Sequence, residues 1–94
     1  MSLAQAIGSD QWVIFSKTYC PYSTGLVNHI SSLPIDGVSV YELDKMSSGV
    51  HIFAALYRQY DTTTVPILFH QGELVGDSDQ SRAYLDQYMK VSPG

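Results

Sequence analysis

Apolar and polar residues follow one another in blocks along this chain, and the blocks carry different periods. Trp12-Val13-Ile14-Phe15 is an unbroken apolar run of strand length, the pattern of a strand covered on both faces. Gly37 to Asp44 (G-V-S-V-Y-E-L-D) reads as a second strand. Pro66-Ile67-Leu68-Phe69-His70 and Glu73-Leu74-Val75-Gly76 read as two more, joined only by Gln71-Gly72. A two-residue loop ending in glycine predicts a tight hairpin, because glycine accepts the positive φ such a turn needs. Between the strands lie helical patterns. Leu3 to Ile7 is a short helix candidate stopped at Gly8. Pro21 suits the first position of a helix, where its missing N–H costs nothing, and that helix runs to about Ser32 before Pro34 ends it. Ser47 or Ser48 can cap a third helix, in which Val50, Phe53, Ala54 and Tyr57 follow the i, i+3, i+4, i+7 spacing of one buried face. Asp77-Ser78-Asp79-Gln80 has the form of a capping box, with Asp at the cap and Gln three residues on. The helix it starts is expected to reach about Lys90 and to bury Tyr84, Leu85, Tyr88 and Met89; Val91 to Gly94 is expected to fray.

The resulting order is α-β-α-β-α-β-β-α. A β-α-β unit pairs its strands in parallel through a right-handed crossover, and the hairpin adds an antiparallel edge. This predicts an α/β fold with a four-stranded mixed sheet and helices on both faces, in one domain spanning 1–94. A composition of 45% hydrophobic and 15% charged residues supports a packed core and excludes a disordered, collagen-like or coiled-coil chain. The net charge of −4 leaves no electrostatic footprint for nucleic acid or an anionic membrane. No apolar run approaches the roughly 20 residues needed to cross a bilayer. The first ten residues lack the positive region and apolar stretch of a signal peptide, so a reducing compartment such as the cytoplasm is expected, with an organelle left open.

The chain has one cysteine, which excludes an internal disulfide and a Cys-rich zinc site. Cys20 is then either an inert packing thiol or a reactive one. It stands in Lys17-Thr18-Tyr19-Cys20-Pro21-Tyr22-Ser23, where an apolar strand ends and a helix begins. As the residue before Pro21 it occupies the helix cap, near the free N–H groups and positive dipole end of the first turn. Lys17 can add a positive charge. Both favour the thiolate, the nucleophilic form, and ligands of open α/β sheets gather at this end of the strands. The context therefore points to the reactive reading. His29, His51 and His70 are far apart and lack ligand spacing, so no metal site is expected, and a pairing of His70 with Cys20 is not needed.

This stretch resembles the glutaredoxin active site, Lys-Thr-x-Cys-Pro-Tyr-Cys, in which Ser is common in place of the second Cys; here that resolving position is Ser23. Thr64-Val65-Pro66 is similar to the family's Thr-Val-Pro, and Val75-Gly76-Asp77-Ser78-Asp79 to its Gly-Gly-x-Asp segment, with Asp77 where the second Gly is expected. The blocks come in family order from about Trp12 to Lys90. The Lys-to-Cys spacing, and Thr62-Thr63-Thr64 before Val65, resemble the catalytic class rather than the cluster-carrying Cys-Gly-Phe-Ser class. The resemblance implies a thioredoxin fold with a cis Pro66. It implies glutathione as co-substrate and a one-cysteine reduction of protein–glutathione mixed disulfides, or of low-molecular-weight disulfides, by Cys20 in a monomeric protein. In that reading Lys17, helped by Arg58, takes the glycine carboxylate of glutathione. Val65 pairs with its cysteinyl backbone beside Thr64 and Pro66. Ser78 and Asp79, following Gly76, take the γ-glutamyl group, and Tyr22 faces the cleft. Asp77 admits two readings of equal weight, a helix cap or a bulky negative charge that weakens glutathione binding. The alternative function is a homodimeric carrier of a glutathione-ligated [2Fe-2S] cluster, and a third is a glutathione-recognising module without turnover.

Overall fold

The computed structural model describes residues 1–91; the predicted fraying of Ser92 to Gly94 falls outside them. Its central element is β1 (Trp12–Ser16), all five residues of which are buried. The side chains of a strand alternate between its two faces, so β1 feeds two cores. Val13 and Phe15 pack with Ile67 and Phe69, under the helices α1 (Leu3–Ile7) and α3 (Gly49–Tyr60). Trp12 and Ile14 pack with Leu68, under α2 (Pro21–Ser31) and α4 (Ser78–Val91). The sheet order is β2-β1-β3-β4, with β2 (Val38–Glu42) parallel to β1, β3 (Ile67–His70) antiparallel to β1, and β4 (Glu73–Gly76) antiparallel to β3. Four strands in this mixed order with helices on both faces make the thioredoxin fold.

Local chemistry accounts for most of the boundaries. Gln71 and Gly72 have φ of 51° and 82°, the double positive pair of a tight hairpin turn. The α4 capping box is closed in both directions: Gln80 N–H donates to Asp77 Oδ1 at 3.0 Å, and Asp77 N–H to Gln80 Oε1 at 3.1 Å. A second box, between Ser2 and Gln5, starts α1 and carries the same spacing as S-x-x-Q. Val91 continues α4 instead of fraying.

Three expectations are corrected. The second strand ends at Glu42, and Leu43–Lys45 turn into a 3₁₀ segment that buries Leu43 and swings Asp44 toward Thr18. The buried face of α3 is Gly49, Ile52, Ala55 and Leu56, one residue out of step with the predicted stripe; Val50 and Tyr57 are exposed. Both stripes have helical spacing, and a close approach selects between them. A Cβ on Gly49 would lie 1.8 Å from the Leu43 carbonyl oxygen, so the start of α3 is pressed against the 3₁₀ segment along its glycine face. Ser48 holds the N-cap position of α3 without a side-chain cap bond. On α4, Leu85 is fully buried and Tyr88 and Met89 are half-buried, whereas Tyr84 is exposed.

Gly49→Ala is expected to lower stability by about 2 kcal/mol through overpacking against a backbone carbonyl. A reduced urea midpoint at unchanged slope checks this; a midpoint equal to that of the wild type shows that the 3₁₀ segment yields freely.

Candidate active site around Cys20

Strand register brings the site together. β1 pairs with β3 so that Phe15 faces Ile67, which sets the Val65-Pro66 turn beside the loop leaving β1. β3 pairs with β4 so that Leu68 faces Gly76, which delivers the start of α4 to the same edge. Three segments remote in sequence therefore meet: Lys17 to Tyr22, Thr63 to Pro66, and Asp77 to Asp79. They line one cleft of about 540 Å³, closed on a further side by Phe53 of α3.

Cys20 is the N-cap of α2 with Pro21 as its first residue, in the extended backbone region (φ −94°, ψ 115°). The loop before it is closed by Cys20 N–H donating to the Lys17 carbonyl at 3.1 Å. A carboxylate clamps the same loop, since Thr18 donates its N–H (3.0 Å) and its hydroxyl to Asp44. These bonds hold the Asp44 carboxyl below its usual range, and no spacing rule in the sequence links the two residues. As a thiol, Cys20 donates from Sγ to the Val65 carbonyl oxygen at 3.7 Å, and no side-chain cap bond to the first turn is closed. The Val65-Pro66 bond is cis.

The thiol pKa lies below its ordinary value. The Ser23 hydroxyl is the largest cause, followed by the Ser23 amide; desolvation opposes them, and the Tyr22 amide and Lys17 charge add smaller contributions. Ser23 is fully buried, and its Oγ accepts from Lys17 N–H at 3.4 Å, which leaves its own proton to donate to the sulfur. The resolving position thus has a role that the sequence reading left to Lys17 and the dipole. The Lys17 ammonium lies 4.4 Å from the centre of the Phe53 ring, within cation–π range. Phe53 is half-buried: it packs against the core as expected and is also a wall of the cleft.

At the far side the capping box uses the Gln80 N–H, and Ser81 N–H donates to the Asp77 carbonyl at 2.8 Å. The N–H groups of Ser78 and Asp79 are left without an intramolecular acceptor among the described residues, an anion site at a helix start. Asp77 serves as the helix cap, the first of its two readings, and it also lines the cleft. Tyr22 and Thr64 line the cleft as expected. Two predicted residues do not. Arg58 is exposed on α3 away from the lining, because the rotation of α3 that buries Leu56 directs it elsewhere. Gly76 is buried with φ of 141° under the Gln80 side chain and borders an adjoining depression instead. His70 is remote from the sulfur, stacked on Trp12 and hydrogen bonded through Nδ1 to Tyr84 Oη at 2.7 Å, and burial lowers its pKa.

Comparison with known proteins agrees with this geometry. Residues 12–75 match the sequence profile of the family described as Glutaredoxin. A monothiol glutaredoxin of Caenorhabditis elegans is 35% identical over 76% of this chain, a match spanning 49% of that protein. A glutaredoxin of Ricinus communis is 37% identical over 84% of this chain and 76% of its own. The crystal structure of a buckwheat glutaredoxin–glutathione complex superposes with a TM-score of 0.82 at 32% identity, covering 93% of this chain and 79% of that one. With the profile spanning most of the chain, and the cysteine, the Thr-Val-Pro turn and the α4 start around one cleft, this chain belongs to the glutaredoxin family of thiol oxidoreductases.

Proposed function

We propose that the chain reduces protein–glutathione mixed disulfides with glutathione as electron donor, using one cysteine. The observation that carries this reading is a thiol of lowered pKa, alone in its chain, in a cleft that offers a separate partner for each end of glutathione. Lys17 provides the cation for the glycine carboxylate. Val65 provides main-chain groups for the cysteinyl residue, its carbonyl already turned to the sulfur. The open Ser78 and Asp79 N–H groups suit the γ-glutamyl carboxylate, and the Asp79 side chain its ammonium. The glutathione complex of the buckwheat relative supports the choice of ligand. Arg58 lies outside the cleft lining, and this reading does not rest on it.

The Cys20 thiolate attacks the glutathione sulfur of the mixed disulfide, the S–S bond breaks, and the substrate leaves as a thiolate that takes a proton from water. Cys20 is then joined to glutathione. A second glutathione thiolate attacks the glutathione sulfur of that adduct, releasing oxidised glutathione and restoring the Cys20 thiolate. The substrate disulfide gains two electrons and two glutathione units lose them. Ser23 cannot intercept the adduct, so no intramolecular disulfide forms. A cluster ligated by glutathione would require two chains, since each supplies one thiolate; among the described residues no group of three or more His, Cys, Asp or Glu adds a ligand, and no step here passes through one.

Incubation with oxidised glutathione is expected to add one glutathione to the intact protein by mass spectrometry and none to Cys20→Ser; an unmodified wild type at neutral pH overturns the reading. Ser23→Ala removes the leading stabilisation of the thiolate, so the pH midpoint of Cys20 alkylation by iodoacetamide should move upward and the rate at neutral pH should fall. An unmoved midpoint would assign the lowered pKa to the backbone amides instead. Asp77→Asn keeps a good cap while removing a charge beside the anion site, and should lower the KM for glutathione about twofold to fivefold. A KM that is unchanged or higher leaves Asp77 as a cap alone.

A further inference from the structure

Two large apolar side chains at the rim of the cleft take no part in the core: Val50 is 80% exposed and Tyr19 72%. Both line a second groove of about 250 Å³, which shares Lys17, Tyr19 and Phe53 with the first and continues past Leu43 and Gly49 to Asp44. Val50 precedes Phe53 by one helical turn on the stripe of α3 that periodicity assigned to the core. Val50 and Phe53 of that stripe border the site, and the exposure of Val50 is what the folding of this chain alone leaves unexplained.

Asp44 gives the groove a fixed charge. Each of its carboxylate oxygens accepts from Thr18, one from the N–H and the other from the hydroxyl, and each keeps a further lone pair. No Lys or Arg nitrogen lies within 4.0 Å of it among the described residues; the neighbouring Lys45 acts only weakly on it. On its other side the cleft runs into a depression lined by polar residues, Asp61 to Thr64, Asp77 and Gln80 among them. In the reaction proposed above, on which this inference rests, the leaving sulfur carries a polypeptide that must cross the rim. The apolar groove is the extension of the rim with surface to bury.

We propose that this groove binds the polypeptide half of the mixed disulfide, taking an apolar side chain between Tyr19 and Val50 and a lysine or arginine against Asp44. Substrates with a basic and an apolar residue near the modified cysteine are then preferred over acidic ones, beyond what the glutathione half contributes.

Two glutathionylated peptides test this, one with Leu and Lys beside the modified cysteine and one with Leu and Glu, next to the small glutathione–mercaptoethanol disulfide. The wild type should show a kcat/KM about threefold to fivefold higher for the Lys peptide than for the Glu peptide. Asp44→Asn, which retains an acceptor for Thr18 N–H, should bring that ratio close to one. Val50→Ser should lower kcat/KM for both peptides about fivefold while leaving the small disulfide unchanged. Equal wild-type rates for the two peptides overturn the proposal, as does a Val50→Ser effect that is absent or equally large for the small disulfide. A wild type that turns over none of the three overturns the proposed reaction, and this inference with it.

Discussion

Burying both faces of one short strand is the constraint on which the rest of the molecule depends. β1 can be dry on both sides only if helices cover the sheet from each, and the helices must be reached by crossovers short enough for a chain of this size. The register then follows. A slip of one residue between β1 and β3 would exchange the two cores, putting Trp12 and Ile14 where Val13 and Phe15 fit. The same register sets the Val65-Pro66 turn beside the Cys20 loop, so the packing that holds the sheet also holds the distance from sulfur to carbonyl. Within the site, the Asp44 clamp on Thr18 and the Lys17 main-chain bonds to Cys20 and Ser23 hold the loop.

Where one local rule governed, the sequence was easy to read. The apolar run of β1, the Gln71-Gly72 turn, the Asp77–Gln80 box and Pro21 at the helix start each leave one physical option, and the chain takes it. The face of α3 was not legible, because Val50/Phe53/Tyr57 and Ile52/Ala55/Leu56 share the same period and only the approach of Gly49 to the Leu43 carbonyl separates them. Arg58 was misplaced by the same rotation. The Thr18–Asp44 clamp is a tertiary fact, joining residues whose spacing obeys no helical or strand rule. The Ser23 hydroxyl is local, three residues after the cap that Cys20 forms, and that spacing was open to view. The sulfur's place at the helix cap was read correctly, and the first-turn amides and Lys17 do lower its pKa, but the largest cause, the buried Ser23 hydroxyl, was not among the groups named.

Serine at the resolving position therefore does two things at once. It withholds the second thiol that would close an internal disulfide, and it supplies a short, fully buried donor to the thiolate it stands beside. Its acceptance from Lys17 N–H ties that donor to the loop itself, so the hydroxyl is aimed before any ligand arrives. The cleft is correspondingly asymmetric in charge. Lys17 and the α4 start favour carboxylates, while Asp77 and Asp79 line the same space as carboxylates themselves.

The chain's single tryptophan lies at the end of β1 away from the sulfur, with the His70 ring stacked 3.6 Å from it at 13° and Tyr84 and Tyr88 edge-on. Both tyrosines belong to α4 and His70 to β3, so its indole records whether three separate elements are docked on one another. An imidazolium in van der Waals contact quenches indole emission, whereas a neutral imidazole quenches it much less. Fluorescence from this one residue is thus a built-in optical gauge of α4 docking and of His70 ionisation, read without a label and at a distance from the chemistry.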